Sequence, residues 1–386
     1  GLAPYGNPIF EKKIYDNLID IKEDGSFRLN LDYFNYVTGL TMTNEKFNSL
    51  FSNKRRNPEE KLEKFHMDIA ASIQKVTEEI VKKIVKNLVK TYKIKNLCLA
   101  GGVALNCVAN GKLLSENIVD NIWIQPAAGD AGGALGAALA YWHLEIKKNR
   151  KFADESEYDS MKGSYLGPSY SENEVIEKLN ELGANYELNQ EDQMINKVAE
   201  LLKNNNAIGW FQGRMEFGPR ALGNRSIIAS PISSKMQKNL NIKVKLRESF
   251  RPFAPAVLEE DLENYFKIKV SSPYMLVVSE VIDAIKKNID SIKTINGIEK
   301  INEVRSSIPS VTHVDYSARV QTVSRKTNRI FHKLINRFKY LTNCSVLINT
   351  SFNIRGEPIV CSVEDAFKCF LGTNLDYLVI GNIILD

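Results

Sequence analysis

No run of this sequence approaches the roughly eighteen apolar residues that a membrane span requires, and no signal-peptide pattern is visible. Neither sign of charge dominates. The 51 basic and 46 acidic side chains leave a net charge of +5, too mild to imply nucleic acid as a partner. Cysteine is sparse and odd in number. Cys98, Cys107, Cys344, Cys361 and Cys369 lack zinc-type spacing, which argues for reduced thiols in a cytoplasmic protein. Cys98 and Cys344 fall in apolar, strand-like runs and read as core residues, so no cysteine nucleophile is expected. Repeats and low-complexity tracts are missing as well. What remains is an ordinary globular composition, 44% hydrophobic and 25% charged. At 386 residues the chain is long enough for two domains and a large core.

One stretch departs from that background. Residues 210–257 carry Arg214, Arg220, Arg225, Lys243, Lys245, Arg247 and Arg251, with Glu216 and Glu248 as the only acids. A solvated helix would alternate cations with acids at helical spacing. Here Gly213, Gly218, Pro219, Gly223, Pro231 and Pro252 break the segment into loops and short strands that turn the cations inward. Guanidinium groups gathered in that way bind phosphate or carboxylate, because their fork of donors matches two oxygens at once.

The rest reads as mixed α/β. IKEDGSFRLNLDYF predicts a hairpin closed by Asp24-Gly25. Ile69, Ile73, Val76, Ile80, Ile84 and Leu88 predict one apolar stripe on a helix over 66–92, with His66 at its start in a capping or surface role. Twice within about thirty residues a strand runs into a glycine turn and a helix, at NLCLAGGVALN and at IWIQPAAGDAGGALGAA. Backbone N–H groups at Gly101-Gly102 and Gly132-Gly133 are placed to approach phosphates that a Cβ would block. Asp130 opens the second of these helices, as an N-cap or as a metal ligand. Residues 147–163 read as a linker and 281–304 as a surface insertion. Beyond the linker, helices are expected over 171–181, 191–204, 233–243, 326–341 and 362–371, and strands over 207–211, 226–230, 274–280, 345–349 and 376–380. His313, Asp315 and Arg319 share what reads as a short loop, VTHVDYSAR. Asn349, Ser351 and Asn353 cluster at a strand end, with Arg355 beyond them.

GLAPYG (1–6), LAGGVALN (99–106), GDAGGALGAA (129–138), GRMEFGPRALGNRSI, KLRESFRPFAP, VTHVDYSARVQTV (311–323) and NTSFNIRGEPIV (349–360) resemble the O-carbamoyltransferase family, which includes the nodulation-factor, tobramycin and cephamycin enzymes. The resemblance covers nearly the whole chain. It implies a partial actin/hexokinase-like (ASKHA) transfer domain over 1–146, a linker over 147–163, and a YrdC-like α/β domain over 164–386 that makes carbamoyl-adenylate from carbamoyl phosphate and ATP. On this resemblance Lys245, Arg247, Arg251, His313 and Arg319 carry the activation chemistry. Arg214, Arg220, Arg225, Asp315, Asn349, Ser351, Asn353 and Arg355 bind carbamoyl phosphate or ATP, with Gly101, Gly102 and Asn106 on the nucleotide side. Asp130 matches a ligand of the transfer-site metal, Fe2+ or another divalent ion, and Mg2+ accompanies ATP. The family's HxxxH-type ligands have no match among His66, His143, His313 and His332. The expectation is therefore a fragment lacking the first part of the transfer domain and retaining the activation half-reaction. The expected partners are carbamoyl phosphate and a small-molecule hydroxyl acceptor, without membrane or nucleic acid, and a homodimer is one assembly open to it. Two rival readings stand beside this one: a threonylcarbamoyl-adenylate enzyme of tRNA modification, and a non-catalytic nucleotide-binding remnant.

Overall fold

The structure, a computed structural model, describes residues 1–57, 60–150, 159–287, 295 and 297–386. Parts of the expected linker and of the expected insertion therefore lie outside the described residues. The chain opens with helix α1 (Glu11–Asn17) and an antiparallel hairpin, β1 (Ile19–Ile21) and β2 (Phe27–Leu29). Gly25 turns it with φ +88°, as the Asp-Gly pair predicts. After α2 (Glu45–Phe51), the long helix α3 (Lys64–Tyr92) forms where the periodicity placed it. His66 does cap its start, accepting the Glu63 N–H on Nδ1 at 2.9 Å.

The buried stripe of α3 differs from expectation. Val76 and Ile80 are buried, but Ile73 and Leu88 are 50% and 40% exposed, and Met67, Ala71 and Val85 face inward instead. The reason lies in what α3 packs against. Its buried Asp68 and Ser72 accept the backbone N–H groups of Asn7 and Phe10, which draws the N-terminal segment onto a more polar face.

Two strands, β3 (Asn96–Leu99) and β4 (Asn121–Ile124), pair in parallel. The helices α4 (Cys107–Ser115) and α5 (Ala131–Ala140) follow them. One face of this two-stranded sheet, bearing Asn96, Cys98, Asn121 and Trp123, stays largely exposed. Cys98 is accordingly exposed on β3, contrary to the core role expected for it, while Cys344 is buried as expected.

The remaining strands form one nine-stranded sheet. In chain order they are β5 (Glu187–Leu188), β6 (Ile208–Phe211), β7 (Arg225–Ala229), β8 (Ala254–Leu258), β9 (Val277–Glu280), β10 (Ser317–Val323), β11 (Val346–Ser351), β12 (Tyr377–Ile380) and β13 (Ile383–Leu385). Across the sheet the order is β5-β13-β12-β6-β7-β11-β8-β10-β9. Only β12–β6 and β10–β8 are parallel pairs. Every residue of β6, β7 and β8 is buried, which fits continuous apolar runs covered on both faces. Helices α6 (Glu172–Glu181), α7 (Glu191–Lys203), α8 (Met236–Asn239), α9 (Arg329–Thr342) and α10 (Val363–Leu371) accompany this sheet, with α7 packed along α9 and α6 along α10. A π-turn over Leu240–Val244 extends α8 and completes the helix expected at 233–243.

The strand-turn-helix unit docks on the edge of this sheet. Asn110 donates to the Leu276 carbonyl at 2.9 Å, and a Cβ on Gly111 would come 2.0 Å from the Val278 carbonyl oxygen. Among the described residues no helix is long and apolar enough to cross a membrane.

Candidate functional site

The segment from Gly213 to Asn224 has little regular structure of its own, so its backbone donors need a partner. Glu216 supplies it. The buried carboxylate accepts the N–H groups of Leu222 at 2.6 Å, Asn224 at 2.8 Å and Arg225 at 3.4 Å. Burial pushes its pKa up, against the pull of these donors and of Arg225. Arg225 is spent on the same fold. Its guanidinium donates to the carbonyls of Gln212, Gly213, Asn224 and Pro168 and lies 3.5 Å from the centre of the Phe211 ring. It is fully buried and holds the loop together, leaving little for a ligand. Arg214 is exposed and donates to the Gly167 carbonyl.

Lys245 is also engaged internally. It is 3% exposed, and its ammonium donates to Ser351 O at 2.5 Å, Ser351 Oγ at 3.2 Å, Asn353 O at 2.9 Å and Asn353 Oδ1 at 2.8 Å. Burial, then the like charge of Arg247, lowers its pKa to about 7. The ammonium thus pins the turn that follows β11. Arg355 lies exposed beyond that turn, near enough for its charge to act on Glu248.

Three of the expected site residues sit on strands. Arg319 is inside β10, and Asn349 and Ser351 are inside β11. The pairings Gln321↔Ala256 and Asn349↔Ala254 put Arg319, Gln321, Asn349 and Ser351 on one face of the sheet. Gln321 and Asn349 are bonded at 2.6 Å and donate to the carbonyls of Leu222 and Ala221, pinning the loop across this face. The loop so held presents Arg220. A buried Oδ1 of Asn349 and a buried Nε of Arg220 have no partner among the described residues.

Here the electrostatics are one-sided. Burial, then Arg220, lowers the pKa of Arg319 to about 10, and Arg247 adds to the effect. Cys107 acts on Arg319 in the opposite sense. Arginine remains a cation at neutral pH regardless. Arg247 keeps its Nε on Asn241 at 2.7 Å and its plane over Phe253, and Arg251 pairs with Glu248 at 2.9 Å on the rim. Burying like charges without counter-ions is costly, and an anionic ligand would neutralise them.

His313 closes the site from one side. It is 6% exposed, its Nδ1 is 3.4 Å from Asp315 Oδ1, and its buried Nε2 has no partner among the described residues. Desolvation alone would raise the Asp315 pKa, but His313 and Ser317 outweigh it and hold the carboxyl well below the usual range. Sequence reasoning missed Tyr5, whose ring packs against His313; its one signal was its place in GLAPYG.

The glycine turns behave differently from expectation. Gly101 is required by its φ of +94°, and its N–H meets the Ala128 carbonyl, so the two turns touch. A Cβ at Gly101, Gly102 or Gly133 would enter open space, whereas one at Gly132 would strike the Ala127 carbonyl oxygen at 2.1 Å. Gly132 therefore serves packing within the turn. Asn106 caps α4 through Ala109 N–H and bonds Gln74 of α3 at 3.2 Å. Asp130 is exposed at the N-terminus of α5 without a side-chain capping bond. Among the described residues no group of three or more His, Cys, Asp or Glu is placed to hold a metal, so Asp130 offers one oxygen and no ligand set. An open groove of about 830 Å3 lies elsewhere, between α1, the hairpin and α3. Its acids Asp16, Asp20, Asp32 and Glu79 are each paired with a lysine, and the groove contains none of the residues above.

Two family models match the sequence: Carbamoyltransferase N-terminus over residues 1–139 and Carbamoyltransferase C-terminus over 199–386. The chain is 53% identical over 388 residues to the uncharacterized protein sll1178 of Synechocystis, covering 100% of this chain and 63% of that protein. It is 36% identical over 386 residues to nodulation protein NolO of Bradyrhizobium diazoefficiens, covering 99% and 64%. The chain thus spans less than two thirds of the length of these relatives. A crystal structure of full-length HypF, phosphate- and nucleotide-bound, aligns with 52% of this chain and 22% of its own at 16% identity and a TM-score of 0.31, too low to carry an argument.

Proposed function

The chain belongs to the carbamoyltransferase family, and we propose that its cation-rich cleft prepares an activated carbamoyl group for transfer to a hydroxyl of a small-molecule acceptor. The observation that carries this reading is the loop that Gln321 and Asn349 pin across the face of Arg319, so that it presents Arg220, whose buried Nε has no partner among the described residues and whose charge lowers the pKa of Arg319. Carbamoyl phosphate and ATP are both polyanions, and bringing them together requires such an excess. In the proposed sequence, water takes the phosphate from carbamoyl phosphate and leaves carbamate. A carbamate oxygen then attacks the α-phosphorus of ATP, the bond to the β-phosphate oxygen breaks, and carbamoyl-adenylate and pyrophosphate result. Arg220, Arg319 and Arg247 would face the phosphate oxygens. His313 Nε2 would meet the carbamoyl group, with Asp315 holding its tautomer. Lys245 acts from behind, through the Ser351–Asn353 turn.

In this reading residues 164–386 form the activation unit, of YrdC-like kind, and residues 1–146 the later part of an actin/hexokinase-like transfer unit. Mg2+ would accompany ATP, and Asp130 would give one oxygen to a divalent metal on the transfer side. The test is calorimetric titration with ATP, with and without carbamoyl phosphate, beside a pyrophosphate-release assay. Release that requires both ligands supports the reading. Nucleotide binding without carbamoyl-dependent release removes it.

A further inference from the structure

Nothing in the chemistry above uses Tyr5, yet the chain invests heavily in placing it. The segment is fixed from behind by α3. A Cβ on Gly6 would come 2.1 Å from the Met67 backbone, Asn7 N–H donates to Asp68 at 2.8 Å, and Phe10 N–H to Ser72 at 3.0 Å. From this anchor the Tyr5 side chain, 5% exposed, reaches two loops more than 240 residues away. Its hydroxyl donates to the Phe250 carbonyl at 3.2 Å, and its ring meets Phe250 edge-on at 5.8 Å. The same ring meets the His313 imidazole at 5.4 Å and 89°. Phe250 adjoins Arg251 and lies three residues after Arg247. Burial pushes the Tyr5 phenol well up, so it stays a donor.

The imidazole is therefore held by two groups of different kind. Asp315 faces Nδ1 and selects the tautomer, while the Tyr5 ring restricts rotation. Arg305 is the other charge beside this ring pair; it is tied to the carbonyl of Thr312, next to His313. We propose that Tyr5 is a positioning residue. It sets His313 Nε2 and the Phe250–Arg251 backbone relative to one another, so that the segment matched by the N-terminal family model tunes the pocket of the C-terminal one. This rests on the cleft being the carbamoyl site, but its first readout does not.

The experiment compares wild type, Tyr5→Phe and Tyr5→Leu in the full-length protein. Long-range 1H–15N spectra follow the imidazoles through a pH titration. His313→Asn assigns the signal. Tyr5→Leu should move the His313 titration midpoint and shift the pH profile of kcat for pyrophosphate release. Tyr5→Phe keeps the ring and should leave the midpoint in place while raising KM for ATP roughly five-fold, the worth of one hydrogen bond. If Tyr5→Leu does not fold, Tyr5→Phe decides alone: KM equal to wild type overturns the proposal. An unmoved His313 midpoint and pH profile in a folded Tyr5→Leu protein overturns it as well. If wild type releases no pyrophosphate, the activity reading fails, and the imidazole titration still decides the role of Tyr5.

Discussion

Replacing Lys245 by methionine separates a ligand-binding lysine from one that holds the fold. Methionine is unbranched, one atom shorter and close in volume, but removes every donor. Four oxygens of Ser351 and Asn353 would then face one another across a buried gap. At about 1 kcal/mol for each abandoned acceptor, the loss approaches 4 kcal/mol. Removing the buried charge offsets part of it, so a net loss of about 3 kcal/mol is expected. Urea unfolding followed by tryptophan fluorescence measures it, since Trp210 is buried in the sheet with its Nε1 on the Gly223 carbonyl. The pH dependence gives an independent check. Lys245 is lowered to about 7, below its free value of 10.5, so the unfolded chain binds more protons between the two. The stability this group contributes is complete above 10.5 and is lost as pH falls through about 7. The gap between wild type and variant should therefore widen between pH 7 and pH 9, by up to about 1.4 kcal/mol per unit. An unchanged urea midpoint would refute the pinning role, and a gap that stays flat across this range would refute the lowering of the Lys245 pKa by burial.

Further outcomes follow from the same geometry. Arg319→Ala should weaken ATP binding at least about ten-fold while leaving stability equal or slightly higher, because it removes one of several buried like charges; calorimetry and a melting curve read the two effects separately. Glu216→Ala strands three backbone N–H groups and should destabilise by about 3 kcal/mol, measured by urea midpoint. Gly111→Ala should loosen the docking of α4 on β9, seen as faster amide exchange around Val278, with no change in pyrophosphate release at saturating ligand. Asp130→Asn in the full-length protein should spare pyrophosphate release and abolish carbamoylation of the acceptor, as read by product analysis.

The helices were legible because their apolar periods are long, and the Asp-Gly hairpin because its turn is local. Two central strands were not. β8 reads APAVL, and Pro255 argues against an interior strand, yet it pairs with Ile348 there. β10 reads SARVQTV, and its Arg319, Gln321 and Thr322 disguise it as a loop, since one face borders the cleft instead of a core. The cations were legible as a group, but not their division of labour. Arg225 and Arg319 look alike in sequence. Only the carbonyls gathered around Arg225, and the other cations acting on Arg319, tell the strut from the guanidinium that we propose for the ligand. For the packing of Tyr5 on residues 250 and 313 the only local signal was its place in GLAPYG, because its partners lie on other loops.

The order of the nine strands also dictates when the protein can come into being. β6, near the middle of the sheet, is flanked by β12, whose residues 377–380 are made 166 or more positions later. During synthesis β6 and β7 must wait as an open, apolar edge while the intervening chain emerges, and loop closure over such separations is slow. Chaperones would have a long window on this nascent chain. A truncation before residue 377 would remove β12 and β13, leave β5 without its partner and turn the wholly buried β6 into an open edge.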